Sequence, residues 1–321
     1  MGDLAEDPSV FRGRLKIKLE RDCGPAFMAA MHDPQTVEVM LNADGRLWQE
    51  RLGHGMALIG EIKSIQAQAI LKSVASFHGL VVTRESPRLE CEWPLDLSRF
   101  AGQLPPVVRE VTFAIRKKAS AVFTLDQYVE QGILTPAHAD VLRDAVRAHR
   151  NILVIGGTGS GKTTLVNALI FEMVEQNATE RFVTIEDTAE LQCSAPNQVQ
   201  YYTSATTTLT DLVKGTLRMR PDRILVGEVR DGAALDLLDV WNTGHEGGVA
   251  TLHANNARAG LTRLRSLITR NKAAPAEIEP LIGEAVHVVA HIARTPDRGR
   301  RVLEILAIDG FANGQYLTRN L

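Results

Sequence analysis

Residues 156–164 read GGTGSGKTT, preceded by the short apolar run NILVI and followed by LVNALIFEMVE. Few local patterns restrict a fold so tightly. The segment fits G-x-x-x-x-G-K-[ST], with Gly156, Gly161, Lys162 and Thr163 in the fixed places. The run before it is β-branched and bounded by polar residues, as a buried strand should be. The run after it spaces its apolar residues as a helix does. Glycines let backbone N–H groups close around phosphate oxygens, and a helix N-terminus adds partial positive charge. Lys162 would neutralise the β- and γ-phosphates, and Thr163 would place its hydroxyl on Mg²⁺. The expected nucleoside-triphosphate site comprises Gly156, Gly157, Thr158, Gly159, Ser160, Gly161, Lys162, Thr163 and Thr164.

From residue 151 onward, strand and helix patterns alternate. Strands are expected at 151–155, 181–186, 223–229 and 248–253, with helices at 161–176, 209–219, 233–243 and 257–270. Such βα alternation implies a parallel sheet with helices on both faces. Ligands of these sheets bind outside the carboxyl ends of the strands. Three strands end in reactive side chains. RFVTIED carries Glu186 and Asp187, with Glu190 close behind; RILVGEV carries Glu228, followed by Arg230 and Asp231. GGVATLHANN carries His253, and His245 sits in the TGHEGG loop before that strand.

Phosphoryl transfer to water needs a positioned nucleophile, carboxylates around a cation and a donor that senses the γ-phosphate. Glu186, Glu228 and His253 are therefore candidate catalytic residues, with Thr163 and Asp187 as candidate Mg²⁺ ligands. An acidic residue after a strand is often only a helix N-cap. Several such positions around one phosphate loop point to a working site instead. The spacing of the two histidines matches no zinc pattern.

The first part of the chain follows a different pattern. TVEVML at 36–41 and RLWQERL at 46–52 alternate like two strands around the turn NADG. Residues 62–77 space Ile62, Ile65, Ala69, Ile70, Val74 and Phe77 as an amphipathic helix. Residues 89–95 and 111–116 again read as strands. Strand pairs without βαβ alternation suggest a small α+β domain over residues 1–120. Two helical segments, 123–131 and 135–150, form an expected interdomain linker at 121–150, with the P-loop domain at 151–321.

Composition narrows the function. A net charge of −2 gives no global basic footprint, so direct nucleic-acid binding is not expected. Cys23, Cys91 and Cys193 form no C-x-x-C pair, which argues against a zinc module or disulfide framework and fits a reducing compartment. No apolar run approaches the length of a membrane span and no signal peptide is visible, so a cytoplasmic protein is expected. Residues 10–21 mix Arg12, Arg14, Lys16, Lys18 and Arg21 with apolar residues. A solvated helix face is the expectation there, with a basic membrane-surface helix as the other reading.

GGTGSGKTT, VTIEDTAEL and LRMRPDRILVGEVRDGAALDLLDVWNTGHEGGVATLHANN closely resemble the traffic ATPases of bacterial secretion. Within them the chain is most similar to the TrbB-type conjugal-transfer ATPases of the type IV secretion branch. The likeness covers nearly the whole chain, because EVMLNADGRLW, RFAGQLPPV and TFAIRKKA look like that family's N-terminal domain. It implies a RecA-like P-loop domain with a mainly parallel sheet, beside a smaller α+β N-terminal domain. It also identifies the four motifs as Walker A loop, Asp box, atypical Walker B and His box. The Walker B strand reads ILVGE, leaving Glu228 rather than an aspartate as its acid, so the usual metal assignment does not transfer directly.

The resemblance further implies ATP and Mg²⁺, with nucleotide bound between the domains, and homohexameric rings at the inner face of the inner membrane. Peripheral membrane association and inner-membrane components of a type IV secretion apparatus would go with them. It implies arginines reaching the phosphates from the N-terminal domain, matched here by Arg99 and Arg116; Arg230 and Arg218, flanking the Walker B strand, are further candidates. Arg46 and Trp48 are candidates for the base or ribose. The expected function is a hexameric ATPase powering pilus assembly or substrate transfer. Type II secretion ATPases carry a tetracysteine module that three scattered cysteines exclude, and RFAGQLPPV argues against the pilus-retraction branch. The alternatives are a ring-shaped DNA translocase or helicase, with Arg258, Arg263, Arg265, Arg270 and Lys272 lining a pore, and a nucleotide-gated docking protein with negligible turnover.

Overall fold

A computed structural model describes residues 8–52, 54–118, 122–204, 206–295, 297 and 299–321. The chain divides into two compact units, Met1–Ser120 and Ala121–Leu321. The first runs α1 (Pro8–His32), β1 (Thr36–Leu41), β2 (Arg46–Arg51), β3 (Met56–Glu61), α2 (Ser64–Phe77), β4 (Arg88–Glu92), β5 (Arg99–Gln103) and β6 (Thr112–Arg116). Its strands form one antiparallel sheet in the order β3-β2-β1-β6-β5-β4.

One face of that sheet is apolar because every second residue points into it. Val39, Leu41, Leu47, Leu89, Phe100, Phe113 and Ile115 are buried there beneath α1 and α2, with Leu19, Phe27, Ile70 and Leu71 as helix counterparts. Gly102 of β5 is needed at its place, since a Cβ there would stand 2.3 Å from Leu71 Cδ1. Helix α1 extends well past the expected segment and breaks at Gly24, whose φ of 77° and ψ of 170° only glycine adopts readily. Arg12 and Lys16 of α1 lie over the Phe77 ring, and Lys18 bonds Asp22 and Ser73. Two of the basic residues thus cover an aromatic ring of their own unit.

The second unit runs α3 (Leu125–Glu130), α4 (Pro136–Arg147), β7 (Ile152–Gly156), α5 (Lys162–Gln176), β8 (Phe182–Glu186), β9 (Gln198–Tyr202), α6 (Leu209–Thr216), β10 (Arg223–Val226), α7 (Ala233–Trp241), β11 (Val249–His253), α8 (Ala257–Ile268), α9 (Glu279–Ala285), β12 (Val288–Thr295), β13 (Gly299–Ala312) and β14 (Gln315–Asn320). Its sheet has the order β14-β13-β12-β7-β11-β10-β8-β9. Strands β12, β7, β11, β10, β8 and β9 pair in parallel, and β13 and β14 add an antiparallel edge.

Strand β7 shows why this sheet needs two helical layers. Leu153 and Ile155 join the core packed by α7, α8 and α9, while Ile152 and Val154 join the core of α3, α4 and α5. A strand apolar at every position is the sequence mark of burial on both faces. Helices α3 and α4 start on capped threonines: Thr124 and Thr135 accept from the backbone N–H groups of Gln127 and His138. Both pack into the second unit's own core through Leu125, Tyr128, Leu142 and Val146. Buried Arg223, at the start of β10, bonds Glu180 and donates to the carbonyls of Gly247 (3.1 Å) and Val146 (3.2 Å), closing the amino edge of the sheet.

Candidate active site

Strand β7 delivers the glycine-rich loop at the carboxyl edge. Gly156 has no room for a side chain, because a Cβ would meet Ile292 O at 2.1 Å. Gly159 and Gly161 hold φ of 68° and 99°, a region that favours glycine, and Gly161 caps α5. Residues 157–159 are exposed, whereas Ser160 and Lys162 are buried. The Lys162 ammonium donates to the carbonyls of Gly156 (3.1 Å) and Gly157 (2.9 Å), which fixes the cation inside the bend. Both ring nitrogens of His253 lie 3.4–3.5 Å from it.

His253 reaches the loop because β11 pairs directly with β7, in a register that sets His253 opposite Gly156. Its Nε2 lies 3.1 Å from Glu228 Oε1. Glu228 follows two residues after β10, on a segment held to β11 by Val229 N–H donating to Thr251 O at 2.9 Å. Arg230 closes the chain of contacts: its guanidinium donates to Glu228 Oε2 at 2.8 Å and stands 3.1 Å from Asp187. Burial pushes the Glu228 carboxyl up, but Arg230, with His253 and Lys162 behind it, outweighs that and holds it below its ordinary value. The bond to Glu228 raises Arg230 in turn. Glu228 is thus an ionised carboxylate wedged between three cationic or ionisable groups.

Glu186 is buried and acts through the backbone: its Oε1 accepts from Glu190 N (2.9 Å) and Leu191 N (2.8 Å). Gly227 leaves room for it, since a Cβ there would stand 3.0 Å from Glu186 Cγ. Those bonds turn the chain so that Glu190 meets α5. Thr163 Oγ1 donates to Glu190 Oε2 at 3.2 Å, and Asn167 bonds Glu190 O and Gln192 N. Asp187, the carboxylate expected beside Thr163, is bonded by Thr203 Oγ1 (2.8 Å) and Arg230 instead. Glu190, noted in the sequence only as a neighbour, is the carboxylate at Thr163. A DTAE segment, with its acid three residues after Asp187, was the signal available.

The loop and its surroundings fit a triphosphate and Mg²⁺ by their chemistry. Ser160 Oγ is buried with no hydrogen-bond partner among the described residues, and Thr163 and Glu190 present hard oxygen ligands beside the helix N-terminus. Among the described residues no group of three or more His, Cys, Asp or Glu side chains gathers as a metal site.

Other sequence candidates lie elsewhere. His245 and Arg218 precede β11 and β10, which places both at the amino edge, opposite the loop. Arg46 pairs with Asp44 in the first unit. Arg99 and Arg116 stand side by side on β5 and β6 of that unit, in the row Glu92, Arg99, Arg116, Glu38, Glu50 across the sheet. Burial raises the Glu38 carboxyl, with Arg116 pulling against it. Of the cations suggested for a pore, Arg265 is bonded to Glu279 and Arg258 to Thr318.

Comparison with known proteins places the chain among secretion-system relatives. The family described as type II/IV secretion system protein matches residues 95–306. A probable conjugal transfer protein TrbB of Sinorhizobium fredii is 48% identical over 94% of this chain and 92% of its own length. The conjugal transfer protein TrbB of Rhizobium radiobacter is 45% identical over 96% of this chain and 94% of its own. Among solved structures, the VirB11 ATPase from the Brucella suis type IV secretion system, crystallised with sulphate, is 29% identical with a TM-score of 0.50. That match covers 91% of this chain and 96% of the other.

Proposed function

The chain belongs to the type II/IV secretion system protein family, among its TrbB-type conjugal-transfer members, and we propose that it hydrolyses ATP to power pilus assembly or substrate transfer. The observation that carries this reading is the continuous line of contacts from Lys162 through His253 and Glu228 to Arg230 at the mouth of the glycine-rich loop. Lys162 and the loop amides hold the β- and γ-phosphates. The Glu228 carboxylate orients a water and takes its proton as the water oxygen bonds to the γ-phosphorus and the bond to the ADP oxygen breaks. His253, touching both Lys162 and Glu228, senses whether the γ-phosphate is there. Mg²⁺, held by Thr163 with Glu190 near, would neutralise phosphate charge. Glu186 shapes the turn that presents Glu190.

The organisation is part of the same proposal: an α+β domain over 1–120 and a RecA-like motor over residues 151–321, with the helices of 121–150, expected as a linker, packed into the motor's own core, six copies to a ring. Arg99 and Arg116 add cations for the phosphates, as the family resemblance of their segments implies. The ring works at the cytoplasmic face of the inner membrane against other components of the apparatus. No described helix is long and apolar enough to cross a membrane. Steady-state phosphate release from Mg·ATP, with negative-stain imaging of the same sample, tests the reading. Turnover by sixfold rings is expected; nucleotide binding without turnover would leave a switch, not a motor.

A further inference from the structure

Arg300 takes no part in the site above, yet it lies on the glycine-rich loop. Thr295 at the end of β12 donates from Oγ1 to Gly299 O at the start of β13, at 3.0 Å. Just beyond it, Val302 N donates to Ile133 O at 2.8 Å, tying the start of β13 to the segment between α3 and α4. The hairpin is therefore anchored at its base. From it Arg300 Nε reaches Gly159 O at 3.4 Å, and a Cβ on Gly161 would stand 3.1 Å from Arg300 Cδ. The arginine stem lies against Gly161, and its two Nη groups bond no described residue.

Strand order says which end of a nucleotide meets this side chain. Strand β7 runs between β11 and β12. On the β11 side stand His253 and, beyond it, Glu228. Arg300 stands on the β12 side. A triphosphate laid in the loop with its γ-phosphate toward Glu228 sends its nucleoside toward the opposite flank. We propose that Arg300 stacks its guanidinium on the base of the bound nucleotide, an inference that rests on the ATPase reading. A planar, weakly hydrated cation suits the face of a purine. Arg294 stands opposite Arg300 in the strand register, so two cations lie together there and a plain phosphate contact is the competing outcome.

Calorimetric titration of the full chain with ATP and, separately, with inorganic tripolyphosphate distinguishes the two. Arg300→Ala should weaken ATP about fivefold, in the range of an exposed cation–π contact, while tripolyphosphate binds as to the wild type. Arg300→Lys keeps the charge without the plane and should lose nearly as much. Equal weakening of both ligands, full recovery with lysine, or unchanged ATP binding overturns the assignment. A wild-type chain that binds tripolyphosphate as tightly as ATP shows no base contact and overturns it too. Binding of neither ligand removes the ATPase reading itself, which distinguishes the two failures.

Discussion

In the first unit every strand runs against its neighbours, and charged residues stand opposite one another in the register: Glu92, Arg99, Arg116, Glu38 and Glu50 form one row over five strands. In the second unit six strands run the same way, and the charged groups meet past their ends: Lys162, His253, Glu228, Arg230 and Asp187. Antiparallel pairing fixes charges through register, with hairpins bringing near residues together. Parallel pairing sends every carboxyl end to one edge, so residues 91 positions apart, Lys162 and His253, come within 3.5 Å. The first arrangement spreads charge over a half-exposed face. The second concentrates it beside buried strands, where each charge is worth more.

The contrast can be broken most directly at the loop. Lys162→Ala should leave the chain folded and lower phosphate release by about 10²- to 10³-fold, the cost of removing one preorganised donor from a developing charge. Melting temperature and phosphate release measured together check this; near wild-type turnover would sink the site.

A smaller effect is expected at Arg230. Its loss leaves Glu228 with burial, which raises a carboxyl, and without the partner that most opposes it. A depressed carboxyl stays charged into mild acid, so removing the depressing group moves the protonation upward. Arg230→Gln should therefore shift the acid limb of the pH–rate profile to higher pH, with kcat down roughly tenfold at neutrality, as for loss of an orienting partner. An unmoved acid limb would mean that Glu228 does not set it.

The first unit should respond in two ways along one row. Arg116→Ala should slow phosphate release, whereas Glu92→Gln, opposite Arg99 in the strand register, should leave turnover alone. Equal effects of the two would say that the row acts only as a surface ladder.

Much of this arrangement was legible in the sequence, for identifiable reasons. NILVI and TVEVML announce β7 and β1 because burial on two faces and on one face leave different periods. The reactive residues after β8, β10 and β11 could be read because parallel strands share an edge. Several strands gave no such signal. In β3, MALIGE is largely exposed and does not alternate; in β5, RFAGQ has a glycine demanded by Leu71, a neighbour distant in sequence. The choice of Glu190 over Asp187 beside Thr163 depends on two backbone bonds to Glu186, which no periodicity encodes. Arg300 went unread for a similar cause, since only the fold sets β12 beside β7.

Glu228→Gln tests the central claim, that the carboxyl edge of the second sheet hydrolyses what the loop binds. Amide for carboxylate keeps the shape and removes the base. With ATP affinity measured by calorimetry and phosphate release on the same preparation, affinity should stay within about twofold of wild type while release slows by roughly 10²-fold or more. Binding and turnover lost together would instead assign Glu228 to holding the nucleotide, and unchanged turnover would remove it from the chemistry.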